Sequence, residues 1–342
     1  MSTIRFRSAV LDRVRGAAML LVILGHTMIG CTVGAQNSFM YRVIWSLQMP
    51  LFFLLSGYLT RYAKPLPNAR ALLRQLGRRS LQLLFPFGVW SFLIRGLLFG
   101  QRSFLNLAWL ARHMDSGYWF LFSLWVISAA YLLASFLGGK VIWKRPQIAV
   151  TLFFGLLLAI LGLVALWQGV EFLGAKLSLY YASFYFLGVL VGRAGDRLPS
   201  SGPGRTLVFA VSFVGWILFL LKCDFFSATD SVRSIALRWV SSVLGCSAVF
   251  LAALELKRWR SDPLPRRVLR WIGTHTLELY LVHYLCLNLI REAPAPDCES
   301  LSGATLILLN FCLTLGISAF VTLLFSRTRF LRFLLYGKTD KR

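Results

Sequence analysis

The chain has 342 residues, of which 57% are hydrophobic and 15% are charged, and its mean hydropathy is +0.68. A soluble domain of this length needs a larger polar fraction to cover its surface, so the composition argues against one. The formal net charge is +24. Nucleic-acid binding is nevertheless not expected, because the basic residues concentrate in short connections between apolar segments.

Apolar segments recur along nearly the whole chain, and most approach the roughly 20 residues that a membrane-crossing helix needs. They predict an all-α integral membrane protein, a bundle of about ten transmembrane helices. The gaps between them are too short for a folded soluble domain, so we expect a single membrane-embedded domain over 1–342. The predicted spans are 16–34, 43–60, 81–99, 118–137, 147–167, 177–192, 206–221, 236–254, 271–290 and 303–325.

Basic residues alternate between rich and poor connections along the chain. If the N-terminus lies inside, the cytoplasmic segments carry most of the 37 lysines and arginines. This is the asymmetry that orients membrane proteins, and it predicts an even number of spans with both termini in the cytoplasm. Basic loops beside an anionic leaflet also make membrane lipids the natural partners.

The six cysteines show no metal-ligand spacing and no CxxC pattern, and no metal is expected. Most fall within predicted spans, where cysteine behaves as a small hydrophobic residue. Cys223 and Cys298 can face an oxidising side, and the sequence leaves open whether they pair.

Polar side chains within the first span are the clearest functional candidates, because polar groups are costly in lipid. Arg15 and His26 are eleven residues apart. In a helix that separation is about 1100°, about 20° past three full turns, with a rise of about 16 Å. Both side chains therefore share one face, and Asp12 lies on the same stripe. The structural alternatives are an orientation anchor for Arg15 and interhelical hydrogen bonding for His26.

The second span contains LQMPLFFLLSGYL, in which Pro50 can kink the helix. Gln48 is a polar residue within this span. Ser56 and Gly57 permit close approach of a neighbouring helix, and helix packing alone explains that pair adequately.

The basic connection that follows carries Arg70, Arg74 and Arg78 at four-residue intervals, with Arg79 adjoining. If the segment is helical, the first three form a cationic ridge. Arginine binds phosphate in a bidentate manner, so the ridge is a candidate phosphate clamp. Ordinary enrichment of basic residues on the cytoplasmic side is the alternative.

Two later spans also carry candidates. The fourth opens with GYWFLFSLW, whose Trp119 suits an interfacial aromatic belt. The ninth reads WIGTHTLELYLVHYL and places His275, Glu278 and His283 inside it. His275 and Glu278 are three residues apart and can meet on one face, as a proton relay or as a satisfied structural pair.

Together these blocks resemble the acyltransferase-3 family of bacterial membrane acyltransferases, which O-acylate saccharides. Arg15 and His26, separated by ten residues, match its first-span signature. LQMPLFFLLSGYL resembles the second-span block, most closely in the branch of fucose 4-O-acetylases. LLFPFGVW, YWFLFSLW, YFLGVLVGR and WIGTHTLELYLVHYL follow in family order.

The resemblance implies transfer of an acetyl group from cytoplasmic acetyl-CoA to a hydroxyl of a surface or lipid-linked saccharide of the O-antigen or exopolysaccharide type. The enzyme would lie in the bacterial cytoplasmic (inner) membrane. His26 would be the general base or a covalent nucleophile, with Arg15 as its catalytic partner. The residues expected to hold the CoA phosphates are Arg15, Arg74, Arg78 and Arg79. Those expected to bind substrate are Gln48, Ser56, Trp119, Glu278 and His283.

The sequence departs from the family pattern at two positions, so not every residue role known in the family can be assigned to it. Gln48 stands where the branch often has histidine, so a proton-transfer role for that histidine does not carry over. Gln82 stands where a basic residue is common before the proline of LLFPFGVW. A transporter or flippase for a lipid-linked sugar is the alternative function, although such proteins usually show internal repeats.

Overall fold

The structure is a computed structural model, and it describes residues 2–115, 117–141, 146–169, 171–194, 202–222, 232–256 and 263–338. Side chains are described within these ranges except at 2–8 and 254–256. Cys223 lies outside the described residues, so its pairing with Cys298 remains open. Cys298 itself is buried.

The described residues are mostly helical, with no β-sheet among them. This confirms the predicted all-α class. α3 continues as a π-helix over Val89–Leu98, and a 3₁₀ turn over His283–Leu285 follows α11. The helices are α1 Ser2–Cys31, α2 Phe39–Tyr58, α3 Ala69–Gly88, α4 Leu107–Arg112, α5 Trp119–Lys140, α6 Pro146–Gln168, α7 Ala175–Ala194, α8 Pro203–Lys222, α9 Val232–Leu256, α10 Leu264–Thr274, α11 Thr276–Val282, α12 Leu301–Phe325 and α13 Arg329–Tyr336.

Within the described ranges, nine helical segments are long and apolar enough to cross a membrane. They correspond to nine of the ten predicted spans and include α3 with its π-helical extension. The chain is therefore a multi-pass membrane protein. The cytoplasmic placement of both termini stays a prediction.

The prediction of one continuous helix over 271–290 is wrong. α10 ends at Thr274, and His275 leaves the helical conformation with φ −113° and ψ 21°. The Thr274 hydroxyl donates to the Trp271 carbonyl over 2.9 Å, and Nδ1 of His275 lies 2.9 Å from the same oxygen. Such local side-chain bonds compete with the helical backbone ladder, so the segment breaks here and restarts as α11.

The described chain divides into two compact units. The first comprises Met1–Leu59 and Leu187–Leu324, and within it α1 packs along α2 and α10. Glycine makes the α1–α10 approach possible, because a Cβ on Gly16 would meet the Leu269 carbonyl and a Cβ on Gly273 would meet the main chain of Asp12. Small residues at such crossings are the usual basis of close helix packing in membranes.

The second unit comprises Thr60–Phe186 and Phe325–Arg342. Within it α3 packs on α5, and α5 packs on α6. The short helix α13 is held at its C-terminal end, where Nε1–H of Trp90 donates to the Leu335 carbonyl over 2.8 Å. The expected single domain over 1–342 stays a prediction.

Candidate functional site

One unbroken helix carries both first-span candidates. α1 runs without interruption through Arg15 and His26, so the predicted shared face and axial separation of about 16 Å hold. Both side chains are half-buried. His26 is therefore neither enclosed in the packed core nor fully exposed, which suits a group that must meet a substrate.

The broken segment α10–α11 packs against α1. Near its start, the Leu269 carbonyl lies against Gly16, and Gly273 lies against Asp12. Near its end, the 3₁₀ turn brings Tyr284 to His26. The two segments are therefore in contact around Asp12 and Gly16 and again at His26.

His26 lies in a small cluster of polar rings. Its Nε2 is 3.1 Å from the hydroxyl oxygen of Tyr284, and the two ring centroids are 4.9 Å apart. The His283 ring lies 5.5 Å from that of His26, and 4.5 Å from that of Tyr284. Two imidazoles and a phenol thus meet between two apolar segments. Such polar groups are costly in a membrane, which makes this cluster a candidate functional site.

His283 is fully buried, and its orientation is fixed by the main chain. Nδ1 lies 3.1 Å from the Leu279 carbonyl, which can only accept, so Nδ1 carries the hydrogen. Nε2 is then a lone-pair acceptor, and it has no hydrogen-bond partner among the described residues. Glu278 is also buried, with 2% of its surface exposed, and lies on α11 between the helix break and His283.

A charged group lies at the other end of the shared face. Nη1 of Arg15 is 3.6 Å from Oδ1 of Asp12, and Asp12 also interacts electrostatically with Arg270 of α10. The Asp12 carboxylate therefore lies near arginines of two helices.

Gln48 approaches the same region from α2. Its Oε1 lies 3.3 Å from where a Cβ on Gly25 would be, immediately before His26, and has no hydrogen-bond partner among the described residues. Ser56 is two turns further along α2, and its hydroxyl donates to the Phe52 carbonyl over 2.7 Å. The structure thus brings Gln48, but not Ser56, next to the helix position that carries His26.

The remaining predicted residues belong to the second unit. α3 is helical where the ridge was predicted, and Arg70, Arg74 and Arg78 are exposed on it, whereas Arg79 is half-buried. Trp119 opens α5 and stacks on Tyr181 with ring centroids 5.3 Å apart. Their proposed roles in phosphate and substrate binding stay predictions.

Tyr284 was not among the residues predicted from the sequence. The signal was present, because a tyrosine directly follows an intramembrane histidine in LVHYL. Its importance depends on the 3₁₀ turn, which was not anticipated. Among the described residues, no group of three histidine, cysteine or acidic side chains is arranged to hold a metal ion.

Comparison with known proteins gives a near full-length match. The acyltransferase-3 family model, described as an acyltransferase domain, matches residues 9–327. Nodulation protein NolL of Sinorhizobium fredii is 30% identical over 142 residues, covering 37% of this chain and 36% of the relative. Nodulation protein NolL of Mesorhizobium japonicum is 26% identical over 162 residues, covering 38% and 41%. The matches thus span less than half of each relative. No solved structure matches the chain significantly.

Proposed function

The chain belongs to the acyltransferase-3 family of membrane acyltransferases, and we propose that it moves an acetyl group from cytoplasmic acetyl-CoA to a saccharide hydroxyl. The acceptor is a surface or lipid-linked glycan of the O-antigen or exopolysaccharide type. The enzyme works in the bacterial cytoplasmic membrane, where donor and lipid-linked acceptor meet.

One observation carries the proposal. A half-buried imidazole on α1 is hydrogen-bonded to Tyr284, and Arg15 lies on the same helix face about 16 Å away. Acetyl-CoA has a polyanionic nucleotide end joined by a long, thin arm to a reactive thioester. An arginine at one end of a stripe and a base at the other match those two ends.

His26 acts as the general base in this mechanism. The mechanism requires the tautomer in which Nε2–H donates to the Tyr284 oxygen 3.1 Å away, because this leaves the Nδ1 lone pair for the acceptor hydroxyl. As Nδ1 takes the hydroxyl proton, the acceptor oxygen attacks the thioester carbonyl carbon. The Tyr284 oxygen accepts a stronger hydrogen bond from the imidazolium that forms, and so stabilises the transition state more than the ground state.

The tetrahedral intermediate then collapses. The carbon–sulfur bond breaks, the acetyl group stays on the acceptor oxygen as an ester, and the imidazolium returns its proton to the departing thiolate. Free CoA and neutral His26 result, so one base serves both halves of the reaction. His283, held by the Leu279 carbonyl behind this pair, limits how far the His26 and Tyr284 rings can turn.

The test uses purified protein in lipid nanodiscs with radiolabelled acetyl-CoA and a panel of free sugars and lipid-linked oligosaccharides. Label that moves to a sugar in an alkali-labile linkage supports O-acetyl transfer. If acetyl-CoA binds without turnover with every acceptor, the proposed reaction is rejected. Label retained on the protein after denaturation would replace the base mechanism with an acetyl-histidine intermediate.

A further inference from the structure

A basic and aromatic groove lies on α10, away from the face that packs on α1. It is an open groove of about 450 Å³, lined by Arg267, Val268, Arg270, Trp271 and Thr274. That volume falls within the range typical of small-molecule sites, roughly 300–1,000 Å³. None of these residues was part of the site expected from the sequence.

The groove follows from the pattern of α10. Arg267, Arg270, Trp271 and Thr274 recur at the spacing that places side chains on one helix face. The opposite face carries Ile272 and Gly273, which are buried. The helix is therefore strongly two-sided, and its polar side presents two exposed guanidinium groups next to a half-buried indole.

We propose that this groove binds the phosphorylated adenosine end of the acyl donor. The inference deepens the proposed function and rests on acetyl-CoA being the donor. Two arginines three residues apart can hold phosphate groups through bidentate, charge-assisted hydrogen bonds. One face of the Trp271 indole is stacked on the His275 ring, with centroids 4.6 Å apart, and a purine would stack on its other face.

The position of the groove supports nucleotide binding, because the groove is linked to the candidate site. Arg270, one of its lining residues, interacts electrostatically with Asp12, which is also the partner of Arg15. The groove, Arg15 and His26 therefore belong to one compact unit of the protein, and Tyr284, which follows the groove in the chain, contacts His26.

An anionic lipid headgroup offers the same phosphate chemistry, and the experiment separates the two sources. Wild type, the double variant Arg267→Gln/Arg270→Gln and the matched control Arg266→Gln are compared in nanodiscs with and without phosphatidylglycerol. Arg266 lies on the same helix but does not line the groove. The probes are acetyl-CoA, 3′-phospho-ADP and acetyl-pantetheine, which lacks the nucleotide. Thermal unfolding of each variant monitors folding.

The double variant is expected to bind acetyl-CoA and 3′-phospho-ADP at least about tenfold more weakly than wild type and Arg266→Gln. Its reaction with acetyl-pantetheine is expected to be unchanged. Equal nucleotide affinity in all three proteins overturns the proposal. So does a double variant that loses only its response to phosphatidylglycerol, because the groove is then a lipid site.

The groove assignment and the proposed reaction can fail independently of each other. If wild type binds 3′-phospho-ADP through the two arginines but never transfers acetyl, the groove stands and the proposed reaction fails. If wild type transfers acetyl and the double variant shows the same affinity for acetyl-CoA, the reaction stands and the groove assignment fails.

Discussion

Replacing Tyr284 with phenylalanine tests the catalytic geometry with the smallest change. The substitution removes one hydroxyl, 3.1 Å from Nε2 of His26, and keeps the ring that packs on both histidines. A hydrogen bond to a charged group contributes about 1.5–3 kcal/mol. Since each 1.36 kcal/mol in the barrier is a factor of ten, kcat is expected to fall roughly 10- to 150-fold.

The KM for acetyl-CoA is expected to stay nearly the same, because the lost bond strengthens only when the imidazole becomes charged. Steady-state transfer of radiolabelled acetyl by purified protein measures both constants. Tyr280→Phe is the matched control, since it makes the same change one turn earlier, 6.4 Å away between ring centroids. Full kcat in Tyr284→Phe, or an equal loss in Tyr280→Phe, would refute the role given to this hydroxyl.

Three further variants test the framework by thermal unfolding and donor binding. Gly273→Ala should lose about 1–3 kcal/mol of stability, because its Cβ meets the Asp12 main chain, whereas Gly316→Ala, with open space around it, should not. Equal melting temperatures would contradict the close crossing. Asn310→Leu should lower the free energy of unfolding by about 2–4 kcal/mol, because it removes the two hydrogen bonds between the Asn310 side chain and the main chain of Ile290, just after the 3₁₀ turn. An unchanged melting temperature would exclude this contribution. Arg15→Ala should weaken acetyl-CoA binding without lowering the melting temperature; unchanged affinity would exclude the phosphate role.

Most of the architecture was predictable from hydropathy. The nine long helices of the described ranges follow directly from apolar runs of the required length, since a chain in lipid must satisfy its backbone hydrogen bonds within each segment. The ninth predicted run was the exception. Its hydropathy is that of a span, but the side chains of Thr274 and His275 compete for a backbone carbonyl and break the helix.

The site was predictable only in part. The shared face of Arg15 and His26 depends on helix periodicity alone, so it can be predicted from the spacing of the two residues. The approach of Tyr284 to His26 joins residues 258 positions apart. It depends on how α10–α11 packs on α1 and on the 3₁₀ turn, and neither can be read from spacing within one segment. The groove on α10 was not predicted, because it depends on that helix being short and two-sided.

Single-turnover acetyl transfer by His26→Ala, compared with wild type and His113→Ala, tests the central claim most directly. His113 is an exposed histidine in the second unit and serves as the matched control. Loss of a general base costs about 10²–10⁴ in rate, so His26→Ala should fall by that factor while His113→Ala keeps the wild-type rate. Wild-type transfer by a folded His26→Ala protein would contradict the mechanism.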